Sequence, residues 1–487
     1  MSFRLPKLED EIDFLKKFFP LWLYITATQT VSLNSITYFA SYLGDLPLAA
    51  LGAASMIQSS TLYTFMQGFT SVMDVYAPQL VGRGEGGKLG RLTVKVLLQG
   101  TSMFIGIMPL WIGLIFAVRL FASPGEEGEA VQKMAEYFMM LCTGTTYLDF
   151  LIEIVLKFLT NQNAMGTVYV MSISQSVLQI CLCCLFVVVL HLQIEGIVLG
   201  IYISRLIILA GCLLVMYIRR KDWKLTILTD ESTWKNWGEM MWCGFTGGFN
   251  LLFLYLSMMV ASYVGQHLGE QSAEGLTVLL RIESWSFSAS VAMAYTSALQ
   301  VGKAIGQGDA DRAKYLIGLG FLNFVVERIV FMVVMFSIVN VYFRFFIPDP
   351  DVIEMVLPEV PIYSVTVFLN SFIELIGRGI LIVLGKTGIV SGVVIGGNIF
   401  VGIPMMFCLV YMTDLGVRGI LLALLAEKAV DSIILVGLLA KTDLQKETAL
   451  CDQRMERVAI KEDTADLIKQ GFANYGTLAT SDGTHQK

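Results

Sequence analysis

The chain has 487 residues, of which 55% are hydrophobic and 15% charged, and its formal net charge is −6. Soluble domains carry roughly 25% charged residues. Here the apolar residues occur in runs of about 20, which is long enough to cross a bilayer. The composition excludes a soluble globular protein and predicts an all-α polytopic membrane protein. The charges form no basic surface, which excludes a nucleic-acid partner.

The first segment, residues 1–17, has apolar side chains on one helical face and charged ones on the other, which predicts a cytoplasmic interfacial helix. The apolar runs beyond it predict twelve transmembrane helices. They lie near residues 18–43, 47–80, 92–118, 131–158, 165–190, 194–218, 236–264, 274–302, 314–343, 357–383, 388–412 and 416–440.

These twelve helices divide into two pseudo-symmetric six-helix lobes. The N-lobe covers residues 18–218 and the C-lobe residues 237–441, and a charged cytoplasmic linker, residues 219–236, joins them. The tail, residues 442–487, is too hydrophilic to span, and we expect part of it, around residues 454–472, to be helical.

Charge sets the expected orientation. Lys and Arg concentrate in the segments on the Met1 side, which on this division include Lys157 and the linker, and the opposite loops are acidic. The positive-inside rule therefore places both termini in the cytoplasm. The membrane itself stays open between the plasma membrane and an internal acidic compartment.

A repeated glycine turn organises the chain. The segment Val81–Leu92 recurs as Ile305–Leu316 in the other half of the chain, and each copy begins with an apolar-Gly-x-Gly-acid pattern. A self-match at this distance indicates a duplicated half rather than a short repeat. Six spans is an even number, so we expect the lobes to share one orientation and to enclose a cavity between them.

Several motifs resemble the multidrug and toxic compound extrusion (MATE) family of transporters. They are Leu43–Ala50, Asp74–Gly82, Val301–Asp309 and the spacing from Gly385 to Pro404, and the resemblance covers about residues 15–440. The resemblance implies substrate efflux by alternating access, driven by protons or sodium ions.

The sequence departs from the family pattern in two places. Many relatives have an aspartate in the first span, where this chain has Asn34–Thr37, and many have a glutamate in the seventh, where Phe245–Tyr263 is uncharged. Both departures leave the coupling ion and its site open.

Charged side chains inside the spans are the candidate coupling site, since they are costly in a bilayer and usually functional. Asp149 and Glu153 lie one helical turn apart with no obvious local cation, which favours binding of a proton. Their C-lobe equivalents, Glu374 and Arg378, are spaced to neutralise each other. The alternative for both pairs is a structural role.

Further polar and aromatic residues are candidates for the substrate cavity, again with structural packing as the alternative. They are Asn34, Tyr38, Phe39, Asp74, Tyr147, Arg281, Glu283, Trp285, Tyr295 and Asn370. The charges of span twelve, Glu427, Lys428 and Asp431, are spaced to satisfy one another, which favours a structural role, as we also expect for Arg205 and Glu327–Arg328.

We therefore predict a monomeric secondary antiporter that exports organic, cationic compounds. The alternative is a lipid or lipid-linked glycan flippase of the same architecture, which a basic-lined cleft would favour. A membrane enzyme would need a catalytic cluster, and the three histidines are scattered; the eight cysteines lie mostly in apolar segments. We expect no catalytic residues, no metal and no cofactor apart from the coupling proton or sodium ion, and partners limited to a small organic substrate and the lipid bilayer.

Overall fold

The computed structural model describes residues 8–117, 126–223, 237–346, 350–413 and 415–458. Twelve long helical segments fill this part of the chain and a shorter thirteenth helix follows. Their ranges are α1 (8–43), α2 (45–82), α3 (Leu89–Ala117), α4 (Glu126–Asn161), α5 (Met165–Val189), α6 (Ile194–Ile218), α7 (Trp237–His267), α8 (Glu270–Gly306), α9 (Ala310–Phe346), α10 (Pro350–Ile382), α11 (Thr387–Tyr411), α12 (Gly416–Ala440) and α13 (Leu444–Val458).

Eight of these helices are long and apolar enough to cross a membrane on their own length and composition, within the residues described. The other four, α1, α2, α8 and α12, contain more polar or charged residues. These four complete the twelve spans that the sequence predicted, and the all-α fold class is confirmed.

The duplicated turn is confirmed in backbone detail. Gly84 and Gly308 have φ angles of +78° and +77°, the left-handed conformation that glycine adopts at no steric cost. Each amide donates to the carbonyl three residues earlier, Val81 or Ile305, at 3.0 Å. The same capping motif therefore ends α2 and α8.

Close backbone contacts join the two lobes at the membrane face where the described termini lie, which we call the terminal face. Here α2 crosses α8, and a Cβ atom at Gly306 would collide with the backbone carbonyl of Gln79. Gln79 Nε2 also donates to the Val383 carbonyl at 2.6 Å. The glycine permits a closer helix approach than any larger residue would.

Toward the opposite face, the helices pack mainly within their own lobes. The outer part of α1, Ser32–Leu43, lies against α2, α5 and α6, and the outer C-lobe has its own hydrophobic cluster. Among the described residues, the lobes are thus closed at the terminal face, and the contacts between them become fewer toward the opposite one.

The described part of the predicted interfacial helix is continuous with the first span. Residues 8–17 continue into the first span without a break, with Phe14 and Phe18 buried. The charged face of this extension contacts the C-lobe, since Asp10 pairs with Arg312 at 2.5 Å. Part of its polar side therefore contacts protein, while the apolar side chains Leu8, Ile12 and Leu15 stay exposed.

The tail helix α13 starts earlier than predicted, at Leu444, and residues beyond 458 lie outside the described part. It docks on both lobes: Cys451 Sγ donates to Gln79 Oε1 at 3.2 Å, and Glu447 pairs with Lys386 at 3.4 Å. The part of the linker that is described, residues 219–223, is a turn following α6.

The glycine contact between the lobes gives a stability prediction. In Gly306→Ala the new methyl group meets the α2 backbone, so we expect a loss of about 1–3 kcal/mol, typical of overpacking. Gly318→Ala is the matched control, because a Cβ there meets open space. Thermal unfolding of the purified variants measures both, and equal melting temperatures for the two would contradict the proposed close contact.

Candidate functional site

One face of α4 holds three charged side chains at successive helical turns. Asp149, Glu153 and Lys157 are spaced four residues apart, so they lie above one another on the helix. The first two were predicted candidates. Lys157 was assigned to the cytoplasmic segment, yet only 9% of its surface is exposed.

Lys157 joins α4 to α2. Its ammonium donates to Asp74 Oδ2 at 2.8 Å, to Thr70 Oγ1 at 2.8 Å and to the Thr70 carbonyl at 3.2 Å. It also lies 3.5 Å from Glu153 Oε1. A buried ammonium is costly unless its donors are used, and here two carboxylates and two further oxygens surround it.

Glu153 extends this cluster to the other lobe. Its carboxylate accepts from Thr70 Oγ1 at 2.9 Å and from Gln67 Nε2 at 3.1 Å, both on α2. It also accepts from the Tyr295 hydroxyl on α8 at 3.4 Å. The last hydrogen bond is long, and it crosses between the N-lobe and the C-lobe.

Tyr295 in turn lies between two cations. Its ring centre is 4.8 Å from Lys157 Nζ and 5.7 Å from the Arg378 guanidinium carbon, distances at which a cation is attracted to an aromatic ring. Arg378 pairs with Glu374 at 3.4 Å, as its spacing predicted. We call Asp74, Glu153, Lys157, Tyr295, Glu374 and Arg378 the central cluster.

A small cavity adjoins the central cluster between the lobes. Its volume is about 40 Å³, room for a few water molecules. Drug-sized ligands occupy pockets of roughly 300–1,000 Å³. The cavity therefore suits a proton or water rather than an organic molecule. It is lined by Leu21, Tyr24, Asp74, Pro78, Glu153, Leu156, Lys157, Thr160, Asn161, Val168, Tyr295, Ala298 and Leu299.

The expectation that Asp149 has no local cation is wrong. Arg205 Nε on α6 donates to Asp149 Oδ1 at 2.6 Å, and Arg205 Nη1 donates to Gln179 Oε1 at 2.9 Å. Gln179 Nε2 in turn donates to the Ser32 carbonyl of α1 at 3.0 Å. Arg205 lies on a different helix from Asp149 and far along the chain, so helix spacing gave no signal of this pairing.

The remaining candidates lie apart from the central cluster. Tyr147 packs on Phe104 and shares a hydrogen bond with Thr101 at 2.8 Å, within the N-lobe. Tyr38 is 68% exposed on the outer part of α1, and Asn34 is exposed one turn earlier.

On α10, Asn370 is buried one turn before Glu374. Besides Tyr295, three predicted cavity residues belong to α8, and their side chains lie outside the described residues. They are Arg281, Glu283 and Trp285.

Gln67 and Thr70, the two α2 residues that donate to Glu153, were not predicted from the sequence. Uncharged polar residues in a span give little signal. The role of Lys157 was not predicted either. That signal was present, since Lys157 follows Glu153 by four residues, the spacing of a helical ion pair.

Two six-helix lobes with buried charges at their interface define a membrane transporter fold. The family model MatE matches residues 24–185 and again residues 248–408, so the chain belongs to this family and is a transporter, not an enzyme. The two matches begin at positions 24 and 248, the same interval that separates the duplicated turns at positions 81 and 305.

Known proteins are similar along most of the chain. Protein DETOXIFICATION 36 of Arabidopsis thaliana is 25% identical, over 89% of this chain and 85% of its own. Multidrug and toxin extrusion protein 1 of Homo sapiens is 24% identical, over 87% and 73%. The crystal structure of the eukaryotic MATE transporter AtDTX14 aligns with a TM-score of 0.84 at 19% identity, covering 93% of this chain and 99% of that one.

The buried lysine gives a prediction for stability. In Lys157→Met the two carboxylates lose their shared partner, and we expect a loss of about 3–5 kcal/mol. Adding Asp74→Asn removes one stranded charge and is expected to restore part of the loss. The matched control is Lys133→Met, whose exposed i, i+4 pair with Glu129 is worth less than about 1 kcal/mol. Thermal unfolding in detergent measures all three, and similar melting temperatures for both single variants would contradict the role of Lys157.

Proposed function

We propose that the chain is a proton-driven antiporter that exports organic cations by alternating access. The observation that supports this most is the position of Glu153. It is a buried acid at a water-sized cavity, in an ion cluster of the N-lobe, and it accepts a hydrogen bond from Tyr295 of the C-lobe.

Protonation of Glu153 would change the contact between the lobes. A neutral carboxyl attracts Lys157 less and is a weaker acceptor for the Tyr295 hydroxyl. A ligand shifts a conformational equilibrium only by binding the two states unequally. A tenfold difference in proton affinity between the states supplies about 1.4 kcal/mol, so one proton at this contact biases the lobes measurably.

Asp149 has a different part in this proposal. Its carboxylate is held by Arg205 inside the N-lobe, whereas Glu153 lines the cavity. We assign the proton to Glu153 and keep Asp149 as its neighbouring charge. In the C-lobe, the equivalent acid Glu374 is neutralised by Arg378 and holds that cation near Tyr295.

We base the cationic substrate on the charges next to the interface, which would set the electrostatic potential of the cleft beyond the cavity. The cavity lining contains two acids and two tyrosines against one lysine. Substrate itself would enter the looser cleft toward the opposite face, because the cavity holds only water-sized molecules. A lipid flippase would instead need a basic lining for phosphate groups, so the composition favours the cation exporter. The names of the relatives speak of detoxification and of multidrug and toxin extrusion, which supports the export of toxic compounds without indicating their charge.

The coupling proposal predicts a loss of function with retained binding. In Glu153→Gln the side chain keeps its shape but takes up no proton, so we expect pH-driven efflux of ethidium from proteoliposomes to fall to background. Ethidium binding to the purified variant should change less than about threefold, because the cleft is unaltered.

Asp149→Asn is the matched control for Glu153→Gln, one turn away on the same helix. It strands Arg205, so we expect less folded protein, but the folded fraction should transport in response to a pH gradient. Full pH-driven efflux by Glu153→Gln, or efflux driven by a sodium gradient alone in the native protein, would contradict the assignment.

We also propose that the terminal face is cytoplasmic, since Lys and Arg concentrate there. The cleft then opens to the outside, at the plasma membrane or into an internal acidic compartment, and the monomer contains the complete site. A reporter enzyme that is active only in the cytoplasm should be active when it is fused after Lys487. A reporter that works only outside the cytoplasm should be inactive there; if it is active, the orientation and the inferred direction of transport are reversed.

A further inference from the structure

A second group of buried charges lies in the C-lobe, away from the central cluster. On α12, Glu427 and Asp431 are one helical turn apart, and each is at most 1% exposed. They face a π-helical turn of α11, Gly397–Gly402, which contains the fully buried Asn398. The sequence suggested that Glu427, Lys428 and Asp431 satisfy one another.

The structure satisfies these groups only in part. Lys428 Nζ donates to Glu427 Oε1 at 2.6 Å, and Asn398 Nδ2 donates to the same oxygen at 3.1 Å. Within the described residues, the other Glu427 oxygen, both Asp431 oxygens and Asn398 Oδ1 are buried without a hydrogen-bond partner. Four oxygen acceptors from three side chains are thus left facing the α11–α12 contact.

Leaving these oxygens unsatisfied is costly. A buried ionised carboxylate without a partner costs several kcal/mol, and membrane-spanning acids normally pair or bind an ion. When all three groups are ionised, the carboxylates of Glu427 and Asp431 and the ammonium of Lys428 together carry one net negative charge. A singly charged cation balances this charge, whereas a divalent one would reverse it.

Two glycines of α11 allow the Glu427 and Asp431 carboxylates to approach its backbone closely. A Cβ at Gly397 would collide with the Asp431 carboxylate, and a Cβ at Gly402 with the Glu427 carboxylate. Glycine at both ends of the π-helical turn therefore lets the two acids lie directly against the α11 backbone. Helical turns of this kind occur frequently at functional sites.

We propose that Glu427, Asp431 and Asn398 form a binding site for one monovalent hard cation, with Na⁺ as the probe. Carboxylate and amide oxygens are the ligands that hard cations prefer. The site contains no His or Cys, the side chains that transition metals prefer, which favours a hard cation. This site is separate from the proposed proton site, and its existence does not depend on that proposal.

Binding of radioactive ²²Na⁺ to the purified full-length protein, with choline replacing sodium, tests the site. The native protein should bind one equivalent saturably, and Asp431→Asn should weaken binding about 10- to 100-fold. Because Asp431→Asn could fold poorly, Gly397→Ala provides a second test, since its methyl group displaces the Asp431 carboxylate. Its matched control is Gly396→Ala, where a Cβ meets only Phe400 at 4.0 Å.

We expect Gly397→Ala to lose affinity and Gly396→Ala to bind as the native protein does. Glu153→Gln should retain ²²Na⁺ binding while losing pH-driven efflux, which separates this site from the proton site. Absence of saturable binding to the native protein, equal binding by the two glycine variants, or loss of binding in Glu153→Gln would each overturn the proposal.

Discussion

The interaction on which the central part of this transporter depends is the buried ammonium of Lys157 between two carboxylates. Charges in a membrane interior are stable only when they are paired and hydrogen-bonded, so Lys157 fixes α4 against Asp74 and Thr70 of α2. Glu153 is the second carboxylate, and its contact with Tyr295 continues the cluster into the C-lobe. A structural ion pair and the proposed proton site are therefore the same group of atoms.

The two lobes repeat a backbone and differ in their charges. Asp149 and Glu374 are equivalent acids of the two halves, yet Asp149 pairs with Arg205 of another helix and Glu374 with Arg378 of its own. By position in the repeat, Lys428 is the C-lobe equivalent of Arg205, and it pairs with Glu427 beside the proposed cation site. Duplication thus supplied two copies of one fold, and substitution gave each lobe its own arrangement of buried charge.

Features that depend on local geometry were predictable from the sequence. The glycine turns at Gly84 and Gly308 and the Glu374–Arg378 pair follow from left-handed backbone and from helix spacing. Pairings between distant residues were not: Arg205 reaches Asp149 across 56 positions, and Lys157 reaches Asp74 across 83. The charge rule that oriented the chain also placed Lys157 in a cytoplasmic segment, because a paired lysine and a solvated one look alike in sequence.

The central claim is that protonation of Glu153 loosens the contact between the lobes, and distance measurements test it most directly. Tyr42 and Tyr263 are both more than half exposed, near the outer ends of α1 and α7. The distance between spin labels at these two positions reports how far the lobes open at the face opposite the terminal face. In the native protein, lowering the pH should increase the population at the shorter distance. In Glu153→Gln the distances should be independent of pH; the same shift in that variant would contradict the account.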